Sequence, residues 1–266
     1  MRTIYKIGIS LLLPVALLAQ RTQTLKVDVN MVNVNVRVTD KSGRTVLGLE
    51  RDNFEVYEDR ITQKIEDFST EEVPASIGLI FDVSESMGPV IDAARNAATD
   101  FLNMGTNQDE FFLVTFSNRP QVEVEFTRDI SKLQSVLLFA HAKGSTALWD
   151  AMYLGVEKLR KGQNPRKALV CITDGDNNHS RYSQKDFAEV MREQDVQIFY
   201  LDTDTAKKLD GEKIATSLKS QYLLSYRSSN TATDGKWRDI RVRVKTVPGM
   251  PPLTVTSRNG YYAPLH

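Results

Sequence analysis

The sequence is poor in the residues that covalently braced domains and common hydrolases depend on. One cysteine, Cys171, stands among 266 residues, so neither an intramolecular disulfide nor a multi-cysteine zinc site is open to the chain. The three histidines show no HExxH spacing, which removes the usual zinc-hydrolase signature. Neither charge is in excess: Lys+Arg and Asp+Glu both number 34, which argues against a basic nucleic-acid surface. There is no P-loop and no Gly-x-Ser-x-Gly elbow around Ser84 or Ser86. The apolar run over 7–19 contains Pro14 and falls short of the about 20 residues a membrane helix needs.

What remains is an ordinary globular composition, 41% hydrophobic and 26% charged. That supports one large domain, or a medium domain with a smaller companion. Residues 1–19 read as a signal peptide, with Arg2 and Lys6 as its basic start and cleavage after Ala19. Leu17 departs from the small-residue rule, so an uncleaved anchor is the alternative. No cysteine follows the apolar run, which excludes a lipoprotein anchor. The expected location is outside the cytoplasm, periplasmic or extracellular.

Residues 20–73 form a β-rich segment in which Val32, Val34, Val36 and Val38 alternate with polar residues. Val27 and Val29 sit on the other parity, so a bulge is expected near Met31–Val32. The run Asp40-Lys41-Ser42-Gly43 marks a turn, and 53–57 and 61–68 read as further short strands. From 74 to 221 the period changes. Continuous apolar runs at 76–81, 111–116, 168–173 and 198–201 suit strands buried on both faces. Between them, 89–104, 133–139, 147–159 and 183–192 show helical spacing, the last opened by Ser183 and Asp186. Strands alternating with helices predict a doubly wound α/β fold, its sheet mostly parallel with helices on both faces. The stretch from 203 to 220 has room for only one helix, at 211–219. Residues 222–266 return to period two and end in an Asn259-Gly260 turn signal. The two β-like ends are expected to pack as one small sheet or sandwich.

In open α/β sheets, ligands bind outside the carboxyl ends of the strands. Two such ends carry aspartate: Asp82 opens the loop Asp82-Val83-Ser84-Glu85-Ser86, and Asp174 opens Asp174-Gly175-Asp176. Between them Gly144-Ser145-Thr146-Ala147-Leu148 leads into a helix. Carboxylates and hydroxyls from three loops on one rim are hard oxygen donors, a set that suits Mg²⁺.

These three motifs resemble the parts of the metal-ion-dependent adhesion site of the von Willebrand factor type A family, over roughly residues 74–202. The flanks, Val36-Arg37-Val38-Thr39-Asp40, 52–59 and 221–226, are similar to its bacterial exported subgroup. The resemblance implies that Ser84, Ser86 and Thr146 touch a metal through their hydroxyls. Asp82 and Asp174 would bind it directly or through water. It implies Mg²⁺, with Mn²⁺ or Ca²⁺ as alternatives, and a non-enzymatic binding module that takes an acidic side chain of a protein partner on the open metal position. The chain departs from that pattern in two places. Glu85 stands where the subgroup commonly has glycine, and either points to solvent or competes with an anionic ligand. The short 203–220 stretch predicts a sheet lacking its last edge strand.

Plainer readings stand beside these. A Ser or Asp after a strand can simply cap a helix, though that accounts for one loop and not three. Asp150 and Asp176 read as carboxylates behind the site or in solvent, His179 as a loop surface residue, and Cys171 as a buried small hydrophobe. Two other functions remain: a structural scaffold with a vestigial metal site, and a Mg²⁺-dependent phosphohydrolase with Asp82 as nucleophile. The second lacks an acid/base partner, because Ser84 occupies that place.

Overall fold

Alternation at the two ends of the chain becomes strands that meet in space. The structure, a computed structural model, describes residues 31–70, 73–192, 194–202, 210–245, 249 and 251–265. The signal segment expected over 1–19, and Val27 and Val29, lie outside them. Strand β1 (Met31–Thr39) buries Val32, Val34, Val36 and Val38. It ends in a turn where the Asp40 carboxylate accepts the N–H groups of Ser42 and Arg44 at 2.8 and 3.0 Å. After β2 (Phe54–Glu58), the single strand expected over 61–68 is two, β3 (Ile61–Gln63) and β4 (Ile65–Ser69), in different sheets. The two-residue turn Asp59-Arg60, both at positive φ, folds β3 back on β2. Gln63 then fixes the departure point by exchanging hydrogen bonds with Ser229.

The central unit starts with β5 (Ala75–Asp82), buried along its whole length. A 3₁₀ turn over Glu85–Val90 holds Pro89, so α1 (Ile91–Asn103) begins two residues later than the spacing suggests. There follow β6 (Glu110–Phe116), β7 (Pro120–Thr127), α2 (Ile130–Leu138), α3 (Leu148–Leu159), β8 (Arg166–Thr173), α4 (Gln184–Arg192), β9 (Val196–Asp202) and α5 (Gly211–Lys219). The sheet order is β7-β6-β5-β8-β9, parallel except for β7 at one edge. Ile77, Leu79 and Phe81 pack one face against α1 and its Ala94 and Phe101, while Ile80, Phe112 and Val114 pack the other against Met152 and Val156 of α3. Gly211 lets α5 lie directly on α1, since a Cβ there would sit 2.1 Å from the Ala97 carbonyl oxygen.

Among the described residues the sheet stops at β9, short of one edge strand as the 203–220 stretch suggests. The next strand, β10 (Tyr222–Arg227), leaves the α/β unit and runs antiparallel to β1, from Met31 opposite Arg227 to Val36 opposite Tyr222. With β11 (Trp237–Val244), β12 (Thr254–Thr256) and β13 (Gly260–Tyr262), the ends build two sheets, β12-β1-β10-β4 and β13-β11-β2-β3. Each sheet mixes strands from both ends of the chain. They share one core, with Val34, Val36, Phe54, Val56, Tyr222, Leu224 and Ile240 facing inward. A reciprocal amide pair between Gln197 and Gln221, and Arg37 stacked over the Phe199 ring at 5.3 Å, join this sandwich to the α/β unit.

Candidate functional site

Asp82 closes β5 and is fully buried. One of its oxygens accepts the Ser84 N–H at 2.8 Å and the other accepts the Thr173 hydroxyl at 2.7 Å. Burial pushes its pKa up, against the pull of those hydrogen bonds, and the negative charge of Asp174 pushes the same way. Among the described residues neither Asp82 nor Asp174 forms an ion pair. The site therefore holds a desolvated carboxylate with a like charge beside it and no cation of its own.

Two of the expected hydroxyl donors face each other beside this carboxylate. Ser84 Oγ lies 3.1 Å from Ser86 Oγ, so the two serines turn to the same side of their loop. That loop is tied to the α2–α3 connection at two points: the Lys143 N–H donates to the Val83 carbonyl at 2.7 Å, and the Glu85 N–H to the Gly144 carbonyl at 2.9 Å. Gly144 takes φ +90°, a conformation that favours glycine. Thr146, buried, follows two residues later. The third loop grips Thr146 from behind. Its carbonyl accepts the N–H groups of Asn178 and His179 at 3.0 Å each, and its N–H donates to Asn178 Oδ1 at 2.9 Å. Asp174 opens that third loop and accepts the Asp176 N–H at 3.1 Å. The five sequence-predicted residues thus sit on three segments, the loops after β5 and β8 and the α2–α3 connection, stitched to one another through their backbones.

Other residues hold the site without standing out in the sequence. Thr173 binds Asp82, Asn118 Oδ1 accepts the Ser145 N–H at 2.7 Å, and Asn177 Oδ1 accepts the Leu148 N–H at 3.1 Å. The available signal was the polar run 174–180 after a buried strand, because Asn and Asp side chains commonly satisfy loop backbone. Asp150 is buried rather than solvated, and accepts the N–H groups of Arg181 and Tyr182 at 2.8 and 3.0 Å. His179 contributes its backbone and exposes its side chain. Glu85 is exposed. Cys171 is buried in β8, and burial raises its pKa well above the ordinary thiol value, so it is no thiolate nucleophile. Among the described residues no group of three or more His, Cys, Asp or Glu side chains could hold a metal ion. A cation here would rest on hydroxyls as much as on carboxylates.

A doubly wound α/β unit with an oxygen-rich loop cluster on its carboxyl rim is the class this geometry defines. The model of the von Willebrand factor type A domain matches residues 76–235. The chain belongs to that family. A curated relative, an uncharacterized protein of Synechocystis sp., is 25% identical over 111 residues, 40% of this chain and 26% of that protein. The chain therefore matches only about a quarter of that relative's length. Among solved structures it is similar to the vWF domain of the type V pili tip protein Mfa5 from Porphyromonas gingivalis (18% identity, 43% of this chain and 44% of that chain, TM-score 0.37). It is also similar to the SpRpn10 VWA domain (17% identity, 53% and 94%, TM-score 0.41). A third is proximal thread matrix protein 1 of the mussel byssus (16% identity, 61% and 51%, TM-score 0.47).

Proposed function

We propose that the chain is an exported, non-enzymatic binding module that captures an acidic side chain of a protein partner through a divalent metal, Mg²⁺ by preference. The observation that carries this reading is the pairing of the buried Asp82, which has no ion-pair partner among the described residues, with the facing hydroxyls of Ser84 and Ser86. Asp82 and Asp174 would balance the charge of the ion, while Ser84, Ser86 and Thr146 would add neutral oxygen donors. When bound, the ion supplies an electrophilic position for an incoming carboxylate, because neutral hydroxyls quench little of its charge. The protein's own part is to hold the donors in place. The backbone bonds from Lys143, Glu85, Asn178 and His179 lock the three loops before any ligand arrives. Export rests on the basic, apolar N-terminal segment; no helix among the described residues is long and apolar enough to cross a membrane.

Titration calorimetry with Mg²⁺ tests the site. Wild-type protein should bind, and Asp82→Ala and Thr146→Ala should not while remaining folded, since both side chains sit at loop ends outside the apolar clusters. Wild-type affinity in either variant sinks the assignment. A pull-down from exported proteins with Mg²⁺ against EDTA then separates a working module from a scaffold with a vestigial site. Turnover of generic phosphate esters would instead favour the phosphohydrolase.

A further inference from the structure

Among the described residues strand β9 is paired on one side only. In the five-stranded sheet it bonds to β8, and among the described residues no strand lies along its other edge. No proline interrupts β9, and between Asp195 before it and Asp202 at its end the strand itself carries no charge. It runs along a cavity of about 430 Å³, and five consecutive β9 residues, Val196 to Tyr200, line it. The two flanks of that cavity differ in chemistry. On one side stand Phe187 and Met191 of α4 with Trp149 of α3. On the other stand Arg37 of β1 and Arg258 of the sandwich, with Arg192 at the end of α4 also lining the cavity. Among the described residues none of the three guanidinium groups is in a salt bridge. The carboxylate within the cavity, Asp195, accepts a hydrogen bond from Asn35 at 3.4 Å; burial pushes its pKa up, against the opposing pull of the Arg258 charge.

We propose that this edge is a second binding site, independent of the metal, where an extended segment of a partner protein adds to the sheet as its sixth strand. Successive side chains of a strand point to opposite faces. Within β9, Ile198 packs with the α3–α4 cluster while Phe199 lies in the opposite core under Arg37. A strand added beside them turns every second side chain toward Trp149, Phe187 and Met191, and the intervening ones toward Arg37 and Arg258. The segment that fits alternates apolar with acidic residues. Main-chain bonds to β9 supply affinity and the two flanks supply selection, the division of labour in strand addition.

The test uses the whole chain, isotope-labelled, with EDTA present throughout. The probe is a capped heptapeptide alternating glutamate and valine. It should bind and shift the amide signals of Val196 to Tyr200, and its lysine–valine counterpart should bind roughly tenfold more weakly or worse. N-methylation along one edge of the glutamate–valine peptide should abolish binding, and along the other edge should not. Arg37→Glu should reverse the preference between the two peptides. Arg192→Glu, at an exposed position, should weaken the glutamate peptide in the same direction and keeps the test open if the first variant fails to fold. Unshifted β9 amides, equal affinity for both peptides, or indifference to methylation on either edge overturns the proposal.

Discussion

Asp82 in the α/β unit and Glu58 in the sandwich are both carboxylates with almost no solvent exposure, and the protein treats them in opposite ways. Glu58 is closed by the protein's own donors: the hydroxyls of Tyr226 at 2.7 Å, Tyr261 at 3.0 Å and Ser228 all give it hydrogen bonds. Burial, and then that hydrogen bond to Glu58, push the Tyr226 pKa up, so its proton stays available as a donor. These bonds link β2, β10 and β13, strands from both ends of the chain. Asp82 receives the Ser84 N–H and the Thr173 hydroxyl, with the Ser84 side chain also beside it, yet it is left next to a second anion, Asp174. A buried charge satisfied by hydrogen bonds is part of the framework. One left beside a like charge, with hydroxyls turned to each other nearby, is what the proposed metal site rests on.

The hardest way to break the comparison is to remove the partner strands of the sandwich. A chain ending at Ser220 lacks β10 to β13, so β1 loses both its neighbours, β10 and β12. Hydrogen-exchange protection at 31–38 should fall to that of an unpaired strand, because a lone hairpin is marginal in water, while β5, β6 and β8 stay protected. Unchanged protection at 31–38 would show that the two ends do not depend on each other. Next in size is Glu58→Ala. It leaves buried hydroxyls without an acceptor and should cost about 3 kcal/mol in urea unfolding, with Mg²⁺ affinity unchanged. Asp82→Ala should do the reverse. Without metal its stability should lie within about 1 kcal/mol of wild type, since the lost hydrogen bonds are offset by removal of a desolvated anion. A large cost at Asp82 and none at Glu58 would invert the comparison.

What the sequence discloses follows the same division. The continuous apolar runs of β5, β6 and β8 mark the parallel core, because burial on both faces leaves no polar alternation. The span 211–219 coincides with α5, whose start is capped by the Asp210 carboxylate accepting the Lys213 N–H and whose Ala215 and Leu218 face the core. Asp82, Ser84, Ser86 and Asp174 are legible because they end or follow a buried strand, while Thr146 is legible from the Gly144-Ser145-Thr146 run that leads into a helix. Two things were not. Alternation over 61–68 cannot say that the chain changes sheets at Lys64, since period two specifies a face and not a neighbour. Nor does spacing reveal that Asn177, Asn178 and Thr173 hold the loops, because hydrogen bonds to loop backbone carry no periodicity.

A smaller effect separates the two carboxylates by pH. Burial raises the pKa of Asp82 in the folded protein above its unfolded value. The stability tied to that group is therefore present below the ordinary carboxylate value and is lost as pH rises through the raised folded value. In EDTA, wild type should lose melting temperature relative to Asp82→Asn as pH climbs from about 4 toward neutrality. With Mg²⁺ the sign should invert, because a cation needs the ionised form, and wild type should gain over the variant as pH rises. Parallel curves in both conditions would mean that Asp82 does not titrate against the metal.

The smallest effect belongs to a third carboxylate, Glu85, which stands between the two site serines but in water. Its backbone is engaged, since its N–H donates to the Gly144 carbonyl at 2.9 Å, while its side chain is exposed. An exposed charge is screened, and its interaction with a nearby charge is worth at most about 1 kcal/mol. Glu85→Gln removes the charge and keeps the backbone, so stability should stay within about 0.5 kcal/mol of wild type. Glu85→Gly adds a backbone term. It frees a residue that opens a 3₁₀ turn and removes an acid from its first turn, so it should destabilise by about 0.5–1 kcal/mol. In binding an acidic partner, both variants should gain by the same factor, under about fivefold, if Glu85 repels the incoming carboxylate through solvent. A gain of tenfold or more in Glu85→Gln would show instead that the side chain turns onto the ion and competes for the open position. In that case the acceptor side of the site would include an exposed carboxylate as well as the buried Asp82.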